Sequence, residues 1–432
     1  MLEETALNPE SRFVFSATRI LSATAGILLW AGSAFAQDAV QSPATQPDAV
    51  ANNPDATGGT LTQTPRRFHY ELSLSERTVY DDNINIGHFT RRSDVYFAIE
   101  PALVLGFGAP ENINSLFFIY HPSASLFANH PEDDAVQHIL RLQAGHNFGH
   151  LTLTFSQDLQ ILDGPDLNTL ADQTGHNANI DVGGRTRHNI YTTNLNGSYD
   201  LSGKTFLTTA ANLVVDDYSG GEAIGSTNIS GNLYLNYQYR AKLVVGLGGT
   251  GGFNTVETGG PDQIYQEADV RAIYNPTAKT NFTATAGFEF REFENNSRGV
   301  YVTPVYTVTG KYEPFDGTTI TLSGNRRVAN SASLVGQDYT TSSINFGLRQ
   351  RFLRRTALGI SFGYQNAEYF STVNGISTSR VDNYYFIEPT VDMTITRYLS
   401  AGAYYLRREN ASSFDLFGFY DNQVGFRMIV IF

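Results

Sequence analysis

The chain has 432 residues, enough for one large barrel or for two to three ordinary domains. Charged residues are only 16%, against roughly 25% in globular proteins, while Gly 39, Tyr 24 and Phe 29 are plentiful. The formal net charge of −13 argues against nucleic acid as a partner, because phosphate binding needs clustered Lys and Arg. Zero Cys fits an exported chain without disulfide staples.

The first segment differs from the rest. Arg12 and Arg19 precede an apolar run from Ile20 to Trp30, which leads to Ala34-Phe35-Ala36. A basic region, a short apolar stretch and a small-x-small site predict a cleaved signal peptide over 1–36, with Gln37 opening the mature chain. The alternative, a membrane anchor, needs about 20 apolar residues, more than this run supplies. From 37 to 66 the sequence is Gln, Pro, Asn, Asp, Thr and Gly with few large apolar residues, which predicts a disordered periplasmic leader.

From Arg67 onward the apolar period is two. Phe68, Tyr70, Leu72 and Leu74 share one face, and His69, Glu71, Ser73 and Ser75 the other. The same alternation recurs in Val95-Phe97-Ile99, Leu233-Leu235-Tyr237-Tyr239, Phe282-Ala284-Ala286-Phe288-Phe290 and Leu358-Ile360-Phe362-Tyr364. Strict alternation marks half-buried strands. Strands following tight turns begin near Thr205, Leu243, Thr280, Thr318 and Thr356, at steps of 38, 37, 38 and 38 residues. That is one up-and-down hairpin repeated. About eighteen strands result, with short turns on one side and longer polar loops on the other, the longest from Asp163 to about Arg187.

The predicted fold is therefore all-β, a transmembrane up-and-down antiparallel barrel over 67–432 in the outer membrane of a Gram-negative bacterium. In hydrocarbon every backbone group must pair inside the protein, so strands cross only as a closed barrel. The alternating polar face suits an aqueous lumen. A soluble β-sandwich or solenoid would pack both faces and needs no signal peptide. Aromatics at Tyr237 and Tyr239, at Tyr369 and Phe370, and from Tyr384 to Phe386 are expected as girdles at headgroup level. Phe426, Met428, Val430 and Phe432 alternate into a terminal aromatic, which resembles the signal that barrel-assembly machinery recognises.

Residues Tyr80-Asp81-Asp82-Asn83-Ile84, then Arg92-Ser93-Asp94, then a strand with Pro101 at its middle, resemble the β-barrel porin 2 family. The likeness covers 67–432, and its specific part is this first hairpin. It implies an outer-membrane barrel accompanying exopolysaccharide export, hence polysaccharide or oligosaccharide as cargo and a periplasmic polysaccharide-export protein as a partner, beside outer-membrane lipid and lipopolysaccharide. No catalytic or ligand residue comes with it.

Glu100-Pro101 and Glu388-Pro389 recur in similar strands. A β-bulge at each Pro is expected, since Pro removes a ladder donor; paired functional glutamates are the alternative. Asp81, Asp82 and Asn83 either open an extracellular turn or offer oxygen ligands to a divalent cation. The histidines, among them His138, His146 and His150, lack spacing for a metal site, so no metal or cofactor is expected. Gly246, Gly248, Gly249, Gly251 and Gly252 lie in an alternating strand and mark bends or lumenal space rather than a phosphate cradle. No compact acid–base or nucleophile constellation emerges, so the chain is expected not to be an enzyme.

Projecting the alternation inward gives Glu100, Asp158, Asp200, Glu267, Asp269, Glu289, Glu388 and Asp392, and, opposite in sign, Arg141, Arg271, Arg291, Arg327, Arg349, Arg351 and Arg427. These are the candidate lumen-lining residues, either selecting cargo or bracing the wall as ion pairs. The sequence reads as a passive channel, with polysaccharide favoured as cargo. The alternatives are a general porin for small solutes and a structural or adhesive barrel.

Overall fold

The computed structural model describes residues 68–108, 113–163, 179–182, 184–219, 223–257, 260–294, 299–373 and 380–432. The expected signal peptide and leader, and most of the loop between Asp163 and Arg187, lie outside the described residues.

Eighteen antiparallel strands form one closed sheet. They are β1 (Phe68–Asp81), β2 (Asp94–Phe107), β3 (Ser115–Phe127), β4 (Ala135–Asn147), β5 (Leu151–Asp163), β6 (Arg187–Asp200), β7 (Thr205–Tyr218), β8 (Ser226–Arg240) and β9 (Leu243–Val256). There follow β10 (Gln263–Thr277), β11 (Thr280–Phe293), β12 (Tyr301–Tyr312), β13 (Thr318–Asn330), β14 (Gln337–Phe352), β15 (Thr356–Ser371), β16 (Val381–Thr394), β17 (Leu399–Ser412) and β18 (Phe419–Ile431). Each strand pairs with its neighbours in sequence, and β1 closes on β18 from Ser73↔Ile431 to Asp81↔Gln423. Closure removes the sheet's edges, the condition for strands to stand in lipid.

The outward face is apolar and exposed, as at Leu72, Leu74, Phe97, Ile99, Leu233, Phe288, Phe362 and Phe426. Exposed apolar side chains all round a closed sheet are costly in water and stable in hydrocarbon. The protein is an outer-membrane β-barrel. Tyr237 and Tyr239 are exposed at the end of β8, as a girdle requires.

Two local expectations fail. No bulge interrupts the strand at Pro101 or Pro389. The β2–β3 register is the same at Ile99↔Ala124 and at Leu103↔Tyr120, and the β16–β17 register is the same at Ile387↔Arg407 and Thr390↔Tyr404. Each Pro loosens the ladder on one side without inserting a residue, because it lacks only the donor for that neighbour. The register shifts near Gln238/Arg240 and Tyr274/Thr277 instead, beside tight turns. The second failure concerns the aromatics. Tyr369, Tyr384 and Phe386 point inward and are buried with Ile86, Ile180, Leu406 and Phe419 in an apolar cluster. Alternation puts these positions on the inner face, and apolar loop residues give them a core to join.

The barrel is not a simple cylinder. β12 and β13 pair only from Tyr312↔Ile320 to Tyr306↔Arg326. Beyond that point the strands part, and β13, β14 and β15 fold inward together. Ile320, Leu322, Ile344, Phe346 and Phe362 mark their outer face, which Asn330, Asp338, Thr340 and Phe370 share by alternation. Yet those four touch the inner face of β9–β12. Asn254 Nδ2 donates to Asn330 Oδ1 at 3.4 Å, and Gln263 Nε2 to Asp338 Oδ1 at 3.2 Å. Tyr301 and Thr340 hydroxyls lie 3.2 Å apart, and the Tyr301 ring stacks on Phe370 with centroids 4.4 Å apart. The ends of β13–β15 thus lie inside the wall made by β9–β12, like the inner lap of a scroll.

Candidate functional site

The inner face of the barrel carries charged side chains held in pairs. Arg77 Nη2 donates to Glu100 Oε1 at 2.5 Å, and Ser123 Oγ donates to the same oxygen at 3.2 Å. Arg141 pairs with Asp158. Asp392 accepts from Arg427 Nη2 at 2.5 Å and from Arg349 Nη1 at 3.2 Å, joining β14, β16 and β18. Tyr234 donates to Asp269 Oδ2 at 3.0 Å while the Arg271 guanidinium stacks 3.5 Å from the Tyr234 ring centroid. Glu267 stands two residues before Asp269 on the same face of β10, partly exposed. Glu388 shares the Asp392 face of β16.

Close glycines let these side chains lie flat on the wall. A Cβ on Gly248 would come 2.4 Å from the Tyr234 ring, and one on Gly252 would come 2.2 Å from the Tyr265 ring. The glycine run of β9 is therefore space for tyrosines from β8 and β10.

The candidate charges do not form one strip. Glu289 and Arg291 are buried under the inner lap: Arg291 Nε donates to Glu289 Oε1 at 2.6 Å, and Nη1 donates to Gln263 Oε1 at 2.5 Å, with Asp338 at 3.9 Å. Arg327 is exposed on the inner face of the lap itself. Of Arg327, Arg349 and Arg427, the last two are brought together, with Asp392 shared between them.

The residues that close the site were not singled out from sequence. Asp181, in the loop between β5 and β6, is 1% exposed and reaches the loops on the far side of the barrel. It accepts from Ser331 Oγ at 2.9 Å, Ser333 N at 3.1 Å, Ser333 Oγ at 2.9 Å, Tyr369 Oη at 2.9 Å and Arg380 Nη1 at 3.1 Å. Ala332 N adds a bond of 2.5 Å. Arg380, also 1% exposed, donates Nη2 to Asp382 Oδ2 at 2.6 Å and to Ile180 O at 3.3 Å, with Phe417 stacked on it at 3.5 Å. Burial pushes the Arg380 pKa down, but the Asp382 hydrogen bond and the charges around it outweigh burial and hold it above its ordinary value. Ile224 N bonds Ala332 O at 2.7 Å, so the β7–β8 loop meets the same place. The sequence signal was the length of the β5–β6 loop; which of its residues crosses the lumen was not encoded in any local pattern.

The first hairpin uses its acidic run for turn and seam. Asp81 Oδ1 accepts from Asn83 N at 2.7 Å, and Asp82 accepts from Asn422 N and Nδ2, each at 2.8 Å. Asp81, Asp82 and Asp421 could gather round a cation, but Arg91 lies 2.9 Å from Asp82 and Arg408 2.5 Å from Asp421, so arginines already supply positive charge. His130, Glu132 and Asp133 form a second, more exposed group, and Arg92 bonds both acids.

No family model matches the chain, and no curated protein matches it. Among solved structures, the chain is similar to OccK2 (OpdF) of Pseudomonas aeruginosa, with TM-score 0.43 and 9% identity over 84% of this chain and 98% of that one. It is similar to the outer membrane protein opdK of Pseudomonas aeruginosa, with TM-score 0.39 and 10% identity over 84% and 99%. It is also similar to the FrpB iron transporter of Neisseria meningitidis, with TM-score 0.42 and 9% identity over 79% of this chain and 62% of that one.

Proposed function

We propose that the protein is a passive channel for small hydrophilic solutes across the outer membrane. The observation that carries this reading is an inner face of paired charges and tyrosines inside an eighteen-strand barrel. Barrels of about 16–18 strands leave an aqueous lumen. Asp181 of the β5–β6 loop, held across the barrel, and the inner lap both occupy the long-loop end of the lumen, which favours small solutes over a polymer conduit. Outer-membrane lipid and lipopolysaccharide surround it, and barrel-assembly machinery inserts it through the strand ending at Phe432.

Liposome swelling tests the reading. Purified barrel should admit small neutral sugars, with rates falling steeply as the sugar grows. No swelling with any sugar, from a correctly folded barrel, would leave a structural or adhesive role.

The resemblance of the first hairpin favours a second reading, passage of oligosaccharide or polysaccharide beside a periplasmic export protein. It would gain support if anionic oligosaccharides, but not neutral ones of equal size, block ion current from the periplasmic side.

A further inference from the structure

We propose that the β12–β13 seam has two positions and that the inner lap of β13–β15 is a gate. In the second position the lap swings out, the seam zips to its end, and the extracellular half of the lumen opens. The consequence for flux rests on the channel reading above; the movement itself does not.

Three observations meet at this seam. The ladder stops at Tyr306↔Arg326, although both strands run on as strands, to Tyr301 on one side and Asn330 on the other. Continuing the register would set Pro304 opposite Val328 and Val302 opposite Asn330. The direction of the peptide groups follows from alternation. Glu313 N bonds Lys279 O, so odd residues of β12 point their N–H at β11 and even ones at β13. Val302, Val328 and Asn330 therefore aim N–H and C=O at a partner strand that has moved away. For Val302, which stands in the wall, such an edge is costly because no water replaces the lost partner; Val328 and Asn330 carry the matching edge on the folded-in lap. Zipping the seam would satisfy it.

The second observation is the chemistry of the overlap. Where β13 and β14 leave the wall, their outer-face residues change from Ile320, Leu322, Ile344 and Phe346 to a mixed set, Arg326, Asn330, Asp338 and Thr340 around the buried Val328, with Phe370 of β15 beside them on Tyr301 and Phe293. The polar ones suit both positions, since Asn330, Asp338 and Thr340 bond β9–β12 when folded in and would meet headgroups and water when swung out. The inner-face partners they cover, Asn254, Gln263, Arg291 and Tyr301, are also polar and would line an opened lumen. A permanent interface between sheets would be expected to be apolar.

The third is Pro304, which stands in the unzipped part of β12 with its nitrogen toward β13. It removes one donor from the zipped ladder, leaving Val328 N–H to Pro304 C=O but nothing in return. That biases the seam toward the folded-in position without forbidding the other. Asp181 opposes the swing from inside, because it grips the β13–β14 loop and Tyr369 on the inner face of the lap.

The chain has no Cys, so disulfides can trap each position in the intact barrel. Gln263→Cys with Asp338→Cys should lock the lap in, and Val302→Cys with Asn330→Cys should lock it out. Asn254→Cys with Asn330→Cys, and Pro304→Cys with Val328→Cys, are second pairs for each position should a first pair fail to fold. Disulfides are scored by peptide mapping on heat-modifiable protein, independently of any current. Both kinds should form under oxidant, and bilayer recordings should show conductance lost with the first and raised with the second, each reversed by reductant. Quantitative formation of the folded-in disulfide with none of either outward pair would overturn the proposal. Formation of both with unchanged conductance would keep the movement and overturn the gate. Formation of both with no conductance from the wild type would overturn the channel reading instead.

Discussion

Arg380 and Asp181 are 199 positions apart and meet with Nη1 and Oδ1 at 3.1 Å, both side chains 1% exposed. The contact ties the β5–β6 loop to the start of β16, across the lumen. Both charges are fully engaged: Asp181 takes hydrogen bonds from three loop residues and a tyrosine, and Arg380 spends its other donors on Asp382 and Ile180 O. A buried pair so satisfied specifies one position for the loop more than it adds stability.

Asp181→Ala leaves Arg380 buried with one acid fewer, and removing one partner of such a pair costs about 3–5 kcal/mol. The cost should fall on the loop, because the ladder does not depend on it. Expected are faster proteolysis near residue 181, larger or noisier single-channel currents, and an unchanged heat-modifiable barrel. A variant with wild-type protease resistance and current would show that the loop is held by its apolar contacts, such as Ile180, instead.

The barrel itself was legible because period two and hairpin spacing are local. The strand starts read from the turn spacing, Thr205, Leu243, Thr280, Thr318 and Thr356, are the observed ones, and the count is eighteen. What was not legible depends on which face of the sheet meets another part of the chain. Alternation puts Asp338 and Phe370 on the outer face, correctly, but says nothing of the fold that turns that face inward. Pro304 was the available hint, a strand proline whose donor side is an unpaired edge. Tyr384 and Phe386 were read as a girdle because aromatics near strand ends usually meet headgroups; loop residues Ile86 and Ile180 supply them an internal core. Glu289 and Arg291 project inward as read, yet lie beneath the lap.

The Asp82 bridge predicts an acid-sensitive seam. Burial pushes this carboxyl up, but hydrogen bonds from Asn422 and Arg91 outweigh it and hold its pKa below the ordinary carboxylate value. A depressed folded-state pKa contributes stability above the unfolded value, and that stability disappears as pH falls through the folded one. The β1–β2 loop should therefore detach from β18 only below the usual carboxylate range. Amide exchange at Asn422, whose N–H bonds Asp82 Oδ1 at 2.8 Å, should accelerate there beyond the intrinsic acid effect. Asp82→Asn should weaken the bridge at neutral pH and flatten the acid response; an identical profile in the variant would show that Asp82 does not set the acid sensitivity of this seam.

A substitution at Phe432 tests assembly apart from stability. Its backbone N bonds Leu72 O at 2.9 Å, but its ring is 74% exposed and packs little. Phe432→Ala should therefore leave the melting behaviour of refolded barrel in detergent nearly unchanged. In cells, loss of the terminal aromatic should lower outer-membrane abundance and send the chain to periplasmic proteolysis. Equal abundance of variant and wild type in the outer membrane would remove this ring from the insertion signal.

Asp392 is the place where lumenal charge can be changed by one residue with a sign known in advance. Two arginines, Arg349 and Arg427, converge on it, and a Cβ on the facing Gly402 would come 2.4 Å from Asp392 Oδ1, so the wall leaves room for this cluster and no more. The cluster carries one net positive charge in a partly exposed stretch of inner wall, and Arg327 adds another on the lap. A fixed charge in a narrow aqueous pore enriches mobile ions of opposite sign. Asp392→Asn frees both arginines and should move reversal potentials in a salt gradient toward anion preference. Arg349→Gln with Arg427→Gln leaves the acid alone and should move them toward cations. Both shifts should shrink as salt rises and screening shortens the reach of the charge. Opposite directions for the two variants would establish that this cluster is sensed by the current. Equal, unshifted potentials in intact barrels would make the three residues a brace between β14, β16 and β18, with ion preference set elsewhere in the lumen.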